Sequence, residues 1–167
     1  MANFSGLIKT LQEFPEGTIA DDDYLIFGKA SISKATFQEI KDAIFADTGW
    51  LSLPLSSGFS HVTNQPAQYR KNGNIVELRG AVKNDSTDVG GSTDQVTIGV
   101  LPEGFRPSKL LFEIHHAYNY HRYQMRVNTD GTVTVSRAIS SYTAGGYTDI
   151  PAGGTIFLGA TFIVSEE

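Results

Sequence analysis

The sequence contains no cysteine. That removes disulfide frameworks, thiolate zinc sites and cysteine nucleophiles. Charge is scarce: Asp, Glu, Lys and Arg make up 19% of the 167 residues, against about 25% in average proteins. Positive charge is the scarcer sign, with 13 Lys and Arg against 18 Asp and Glu and a net of −5. That balance argues against a nucleic-acid binder, which needs a basic stripe to displace counterions from phosphates. No window approaches about 18 consecutive apolar residues, so no membrane insertion is expected. The opening segment Met1-Ala2-Asn3-Phe4-Ser5-Gly6 lacks the basic and apolar regions of a secretion signal.

What is abundant is small and polar. Ser, Thr and Gly number 14, 15 and 17, a composition that leans towards an all-β protein with a hydroxyl-rich surface. The length suits one domain with a short appendage and suffices to bury a core. The charge divides the chain. Residues 1–47 hold four Lys and eight acids, whereas 48–167 hold nine basic and ten acidic residues. The expected organisation is therefore an N-terminal segment, 1–47, and a head domain, 48–167.

Helical signals occur only in the first part. Thr36-Phe37-Gln38-Glu39 has the form of a capping box, in which hydroxyl and carboxylate satisfy each other's backbone amides. Phe37, Ile40 and Ile44 then make one apolar stripe, which predicts a helix over 36–46. Three turns are marginal alone in water, so the stripe must pack on something. Residues 23–27 read as a short strand, Ile32 as the start of another, and 6–13 as a helical turn.

The second part alternates with period two, predicting strands at 50–55, 67–72, 75–83, 95–101, 109–117, 121–128, 132–139 and 155–164. Asn72-Gly73-Asn74 and Asn128-Thr129-Asp130-Gly131 mark hairpins, the second because Asp and Gly tolerate positive φ. The Gly-rich loop 84–94 reads as flexible. Strand 155–164 has Ile156, Leu158, Ala160, Phe162 and Val164 on one face and Phe157 and Ile163 on the other. Strand 109–117 is also apolar on both faces. Such strands are buried on both sides, so the last strand is expected to meet another subunit or the N-terminal part, with oligomerisation preferred. No helical segments separate the strands, which excludes a parallel α/β fold. The fold class is mainly β, with a C-terminal antiparallel β-sandwich.

Three stretches carry a resemblance: Thr48-Gly49-Trp50-Leu51-Ser52-Leu53, the hairpin Tyr69-Arg70-Lys71-Asn72-Gly73-Asn74-Ile75-Val76-Glu77-Leu78-Arg79-Gly80, and Leu101-Pro102-Glu103-Gly104-Phe105-Arg106-Pro107. They resemble the C-terminal module of receptor-binding proteins of tailed bacteriophages: tail fibre, baseplate and head fibre proteins, chiefly of phages infecting Gram-positive hosts. The likeness covers about 48–137. It implies a homotrimeric, jelly-roll-like knob that adheres to cell-surface saccharide. It also implies that a short N-terminal α/β anchor, 1–47, contacts other virion proteins. Such a protein is made in the host cytoplasm and acts extracellularly as part of the virion. The motif residues Asn72, Gly73, Gly80, Pro102, Gly104 and Pro107 themselves read as turn and packing residues.

The densest polar and aromatic stretch is His115-His116-Ala117-Tyr118-Asn119-Tyr120-His121-Arg122-Tyr123. Three readings stand: ordinary strand residues with one satisfied histidine; a metal site on His115 and His121, which lacks local carboxylates to complete it; and a saccharide site. Sugars need aromatic platforms for their C–H faces and fixed donors and acceptors for their hydroxyls. His115, Tyr118, Asn119, Tyr120 and His121 supply that mixture, as do Tyr142, Tyr147 and Asp149 in the next loop. Trp50 is expected in the core rather than as a platform. No nucleophile elbow or metalloprotease motif occurs. Glu77 and Glu113 offer no evident glycosidase pair, and Glu77 with Arg79 reads as a surface ladder. The expectation is a non-enzymatic adhesin without cofactor or metal, bound to host cell-wall polysaccharide or teichoic acid. A purely structural head-fibre or decoration protein and a glycan hydrolase are the alternatives.

Overall fold

A computed structural model of the chain describes residues 24–27, 33–44, 46–85, 88–117, 121–140 and 145–164. The chain divides into two compact units, Met1–Ala46 and Asp47–Glu167. In the first, β1 (Tyr24–Phe27) pairs antiparallel with β2 (Ser33–Thr36), followed by α1 (Phe37–Ile44). The capping box is formed: the Glu39 amide donates to Thr36 Oγ1 at 3.1 Å and the Thr36 amide to Glu39 Oε2 at 2.7 Å. Those bonds hold the Glu39 carboxyl below its ordinary pKa. The helix is shorter than the stripe predicted, ending at Ile44. The turn predicted over 6–13 and the strand start at Ile32 lie outside the described residues.

The second unit comprises two antiparallel sheets. One runs β11 (Thr155–Ile163), β6 (Ile75–Asn84), β5 (Gln68–Asn72), β3 (Leu51–Ser52), with β4 (Phe59–His61) also pairing β6. The other runs β7 (Val96–Val100), β10 (Thr132–Ser140), β9 (His121–Val127), β8 (Leu111–His116). Alternate residues of both sheets, among them Val76, Leu78, Val82, Ile156, Leu158, Met125, Val127, Val133 and Val135, make one buried core. The architecture is mainly β and consistent with a sandwich. The bridges Leu55–Gly99, Pro107–Val164 and Ala117–Ile156 tie one sheet to the other.

Both hairpins form. Asn72 pairs with Ile75 around a two-residue loop whose Gly73 has φ 57°. In the second, Asn128 N–H donates to the Thr132 carbonyl at 2.9 Å. Only Gly131, at φ 90°, takes positive φ there, not Asp130 as well. Asp130 instead accepts the Thr132 amide at 2.9 Å and hydroxyl at 2.7 Å.

Four expectations change. The predicted strand 50–55 is regular strand only at Leu51–Ser52, with Leu53 bonding Ala67 and Leu55 making an isolated bridge to Gly99, and β4 was not foreseen. Segment 88–94 is pinned rather than loose: Val89 exchanges backbone bonds with Ile150, and Gly90 and Ser92 carbonyls accept from Ala138 and Arg137. Strand β8 does not bury both faces. Its register sets Leu111, Glu113 and His115 opposite Val127, Met125 and Tyr123, the core face of β9. Phe112 and Ile114 are thereby turned outward, 58% and 68% exposed. In β11 the predicted inner face is buried, and Phe157 and Ile163 are exposed on the other.

Candidate functional site

The two loops singled out by composition are partly described. Tyr118, Asn119, Tyr120 and Tyr142 lie outside the described residues. His115 is half-buried on β8, where its Nε2–H donates to Glu113 Oε2 at 3.0 Å and its ring stacks near Tyr123. His121, at the start of β9, is 6% exposed, and its carbonyl accepts the Ala117 amide at 2.8 Å. His115 is opposite Tyr123 and His121 is two residues from it, so both histidines face the inter-sheet core. Tyr147 is exposed. Asp149 Oδ1 accepts the Gly91 amide at 2.6 Å, so this carboxylate pins loop to loop.

The structure draws attention to a place that composition did not. A cavity of about 380 Å³ opens on the outer face of the β5–β6–β11 sheet, within the usual range of ligand sites, about 300–1,000 Å³. Asn64, Gln65, Gln68, Arg79 and the exposed ring of Phe157 line it. Its rim is set by backbone. Residues 62–67 run alongside β6, with the Ala81 amide donating to Gln65 at 2.8 Å and Pro66 bridging Ala81 in parallel. Gly80 has φ +100°, and a Cβ there would overlap the Pro66 carbonyl. Glycine is what lets the two backbones come this close.

Arg79 is held in place before any ligand arrives. Its guanidinium lies 3.5 Å from the centroid of the Trp50 ring, and Nη2 donates to Gln68 Oε1 at 3.2 Å. Trp50 is thus a half-buried surface ring under two arginines, not a core residue; Arg70 sits 4.7 Å from the same centroid. The ladder expected between Glu77 and Arg79 runs otherwise. Glu77 binds Arg70 across the strands, and Asp47 approaches Arg70 at 3.6 Å. The bond to Glu77 raises the Arg70 pKa. Among the described residues no carboxylate pairs with Arg79. The cavity therefore offers an aromatic face, three amides and one oriented cation, a set suited to polyhydroxylated ligands. Its parts are far apart in sequence, at 64–68, 79 and 157, so no local motif announces it. The only signal was the outward apolar position of Phe157.

Glu77 and Glu113 lie on different sheets, each engaged with a basic side chain. No protein-family model matches the chain, and no curated protein matches it. Among solved structures it is similar to the head domain of the lactococcal phage bIL170, reported under the question of a common fold for lactococcal phage receptor-binding domains. The identity is 15% and the TM-score 0.50, over 70% of this chain and 97% of that one. The fold thus resembles that of this phage head domain.

Proposed function

We propose that this chain is a virion adhesin of a tailed bacteriophage. Its sandwich head binds saccharide on the host cell surface, and residues 1–47 attach it to other virion proteins in a tail fibre, baseplate or head fibre. The observation that carries the reading is the fold: the likeness spans nearly the whole of a phage receptor-binding domain. The amide- and aromatic-lined cavity beside Arg79 supports a glycan as the ligand. The working unit is a homotrimer of jelly-roll-like heads. Ile75 and Ile163 face each other across β6 and β11, 45% and 57% exposed. Subunit packing would remove this apolar pair from water.

The test is retention of the purified full chain on cell walls from a panel of Gram-positive bacteria, lactococci included, before and after enzymatic removal of wall polysaccharide. Binding that disappears with the polysaccharide is expected. Absence of binding to every wall, at low and moderate salt, overturns the adhesin in favour of a purely structural virion part. Release of reducing ends from the polysaccharide would mean a hydrolase.

A further inference from the structure

The chain enters the head beside the Arg79 cavity. The second unit starts at Asp47, so the backbone arriving from residue 46 passes through Asp47-Thr48-Gly49-Trp50. This stretch runs along the end of β5. Asp47 bridges Asn72. The Thr48 amide donates to the Lys71 carbonyl, and Thr48 Oγ1 accepts the Lys71 amide, each at 2.9 Å. The Asp47 carboxylate accepts the Gly49 amide at 2.9 Å and approaches Arg70 at 3.6 Å. Trp50 then stacks with Arg70 and Arg79. Those arginines stand over the β5–β6 pair, where Gln68 is opposite Arg79 and Arg70 opposite Glu77. Trp50 therefore links two things: the point where the chain enters the head and an arginine that lines the cavity.

The entry stretch is held by contacts that open easily. Residues 46–49 are exposed, and β3 ends its sheet, pairing with β5 over Leu51 and Ser52 alone. Exposed backbone bonds with little buried apolar contact open at low cost. Gly49, at φ +65° with nothing within 4 Å of a would-be Cβ, supplies a free pivot. The first deep anchor is Leu53, 1% exposed, whose amide donates to the Ala67 carbonyl at 3.0 Å. Residues 47–52 can thus leave the sheet edge while the core stays folded. An arginine side chain has much rotamer freedom to lose on ordering. Trp50 and Gln68 remove that freedom from Arg79 in advance. With Trp50 lifted away, Gln68 alone steadies the guanidinium, and a ligand must bear more of the ordering cost.

We propose that residues 47–50 form a strap that couples the cavity to the chain entering the head. Docked, the strap sets Trp50 against Arg79 and the cavity has its oriented cation. Lifted, it unseats Trp50 and the cavity loses affinity. The inference rests on the adhesin reading and names a regulation of its site. Trp50 is a positioning residue, because it acts on the ligand through Arg79. The coupling is reciprocal: if docking of the strap favours the ligand, the ligand favours docking to the same extent. An occupied cavity thereby tightens the entry stretch, and a pull transmitted from residues 1–46 reaches Asp47 first and loosens the grip.

The experiment loosens the strap without touching the cavity. D47N combined with T48V removes the attraction to Arg70 and the acceptor for the Lys71 amide. Hydrogen exchange of the full chain should then speed up at 48–52 and stay unchanged in β6 and β9, which shows the fold intact. Phenylglyoxal, which modifies accessible guanidiniums, reports on Arg79 through mass spectrometry of peptides cut after Glu77. Its rate should rise about two- to five-fold, the size of a lost exposed cation–π contact. W50A should do the same, and W50F, which keeps a ring, should restore most of the protection. The ligand arm uses wall polysaccharide fragments released from a strain that retains the wild-type chain. The double variant should bind them about two- to five-fold more weakly, and the fragments should slow exchange at 48–52 in wild type. Faster exchange at 48–52 with unchanged Arg79 reactivity, or with unchanged fragment affinity, overturns the coupling. If the double variant leaves exchange unaltered, W50A against W50F decides on the same readouts. A wild-type chain retained on no wall ends the adhesin reading, while Arg79 reactivity still decides the strap. Wall binding with Arg79 indifferent to the strap does the reverse.

Discussion

Gly80→Ala probes the backbone approach that frames the Arg79 cavity. Two costs add. The residue has φ +100°, a conformation that costs an L-residue about 1–2 kcal/mol. The added methyl also meets the Pro66 carbonyl and neighbouring backbone, and such overpacking costs about 1–3 kcal/mol because the neighbour is no flexible side chain. The sum, about 2–5 kcal/mol, is a large part of a stability of about 5–15 kcal/mol. Gly104→Ala separates the terms. Gly104 has φ +78° with nothing within 4 Å of a would-be Cβ, so it pays the conformational cost alone. Urea unfolding of both variants, at matched protein concentration because assembly shifts apparent stability, should place G80A about 1–3 kcal/mol below G104A. Equal losses in the two variants would refute the claim that the Pro66 contact, rather than backbone angle, demands glycine at position 80.

Tyr123 is 1% exposed and its hydroxyl donates to the Phe157 carbonyl, from one sheet to the other. Burial pushes its pKa up, so it remains a donor. Tyr123→Phe should cost about 1–2 kcal/mol in urea unfolding, and a neutral result would mean the carbonyl finds another donor. Asp130 has its pKa lowered from 3.8, chiefly by the Thr132 amide and then its hydroxyl. Its contribution is present above 3.8 and is lost as pH falls through the lower native value. The stability gap between wild type and D130N should therefore narrow below that point, and a gap independent of pH there contradicts the turn geometry. Ile163→Lys places a charge in the exposed Ile75–Ile163 pair, and light scattering should show a trimer for wild type and a smaller species for the variant. A wild-type monomer at micromolar concentration would end the trimer.

Elements governed by local chemistry were legible. The capping box at Thr36 and Glu39, the glycine hairpins, and the alternation of Val76, Leu78 and Val82 each follow from a few adjacent residues. Long-range decisions were not. Whether Phe112 or Leu111 faces the core depends on register with β9, and both alternatives look apolar in the chain. Trp50 looks like core material until Arg70 and Arg79 arrive from another hairpin to stack on it. The β10 bulge at Arg137 carries no glycine to mark it, because Ser92 and Gly90 impose it from a distant loop. The Arg79 cavity assembles from three separated segments for the same reason.

Charge counting does not distinguish paired charges from free ones. Residues 48–167 are nearly balanced in charge, and the composition leans towards a hydroxyl-rich surface. The structure shows that the two signs are spent differently. Glu77, Asp85 and Glu113 are paired with Arg70, Lys83 and His115, while Asp88, Asp130 and Asp149 accept backbone amides. The acids thus largely serve the fold. Among the described residues Arg79, Arg122 and Arg137 lack such acidic partners, and each lines a hollow. A ligand therefore meets uncommitted cations on a protein whose net charge is negative. Because an exposed Arg–anion pair is screened over about a Debye length, binding of a negatively charged wall polymer such as teichoic acid should weaken with added salt. Long-range repulsion by the net −5 alone would give the opposite slope, so the sign of the salt dependence tells local from global charge.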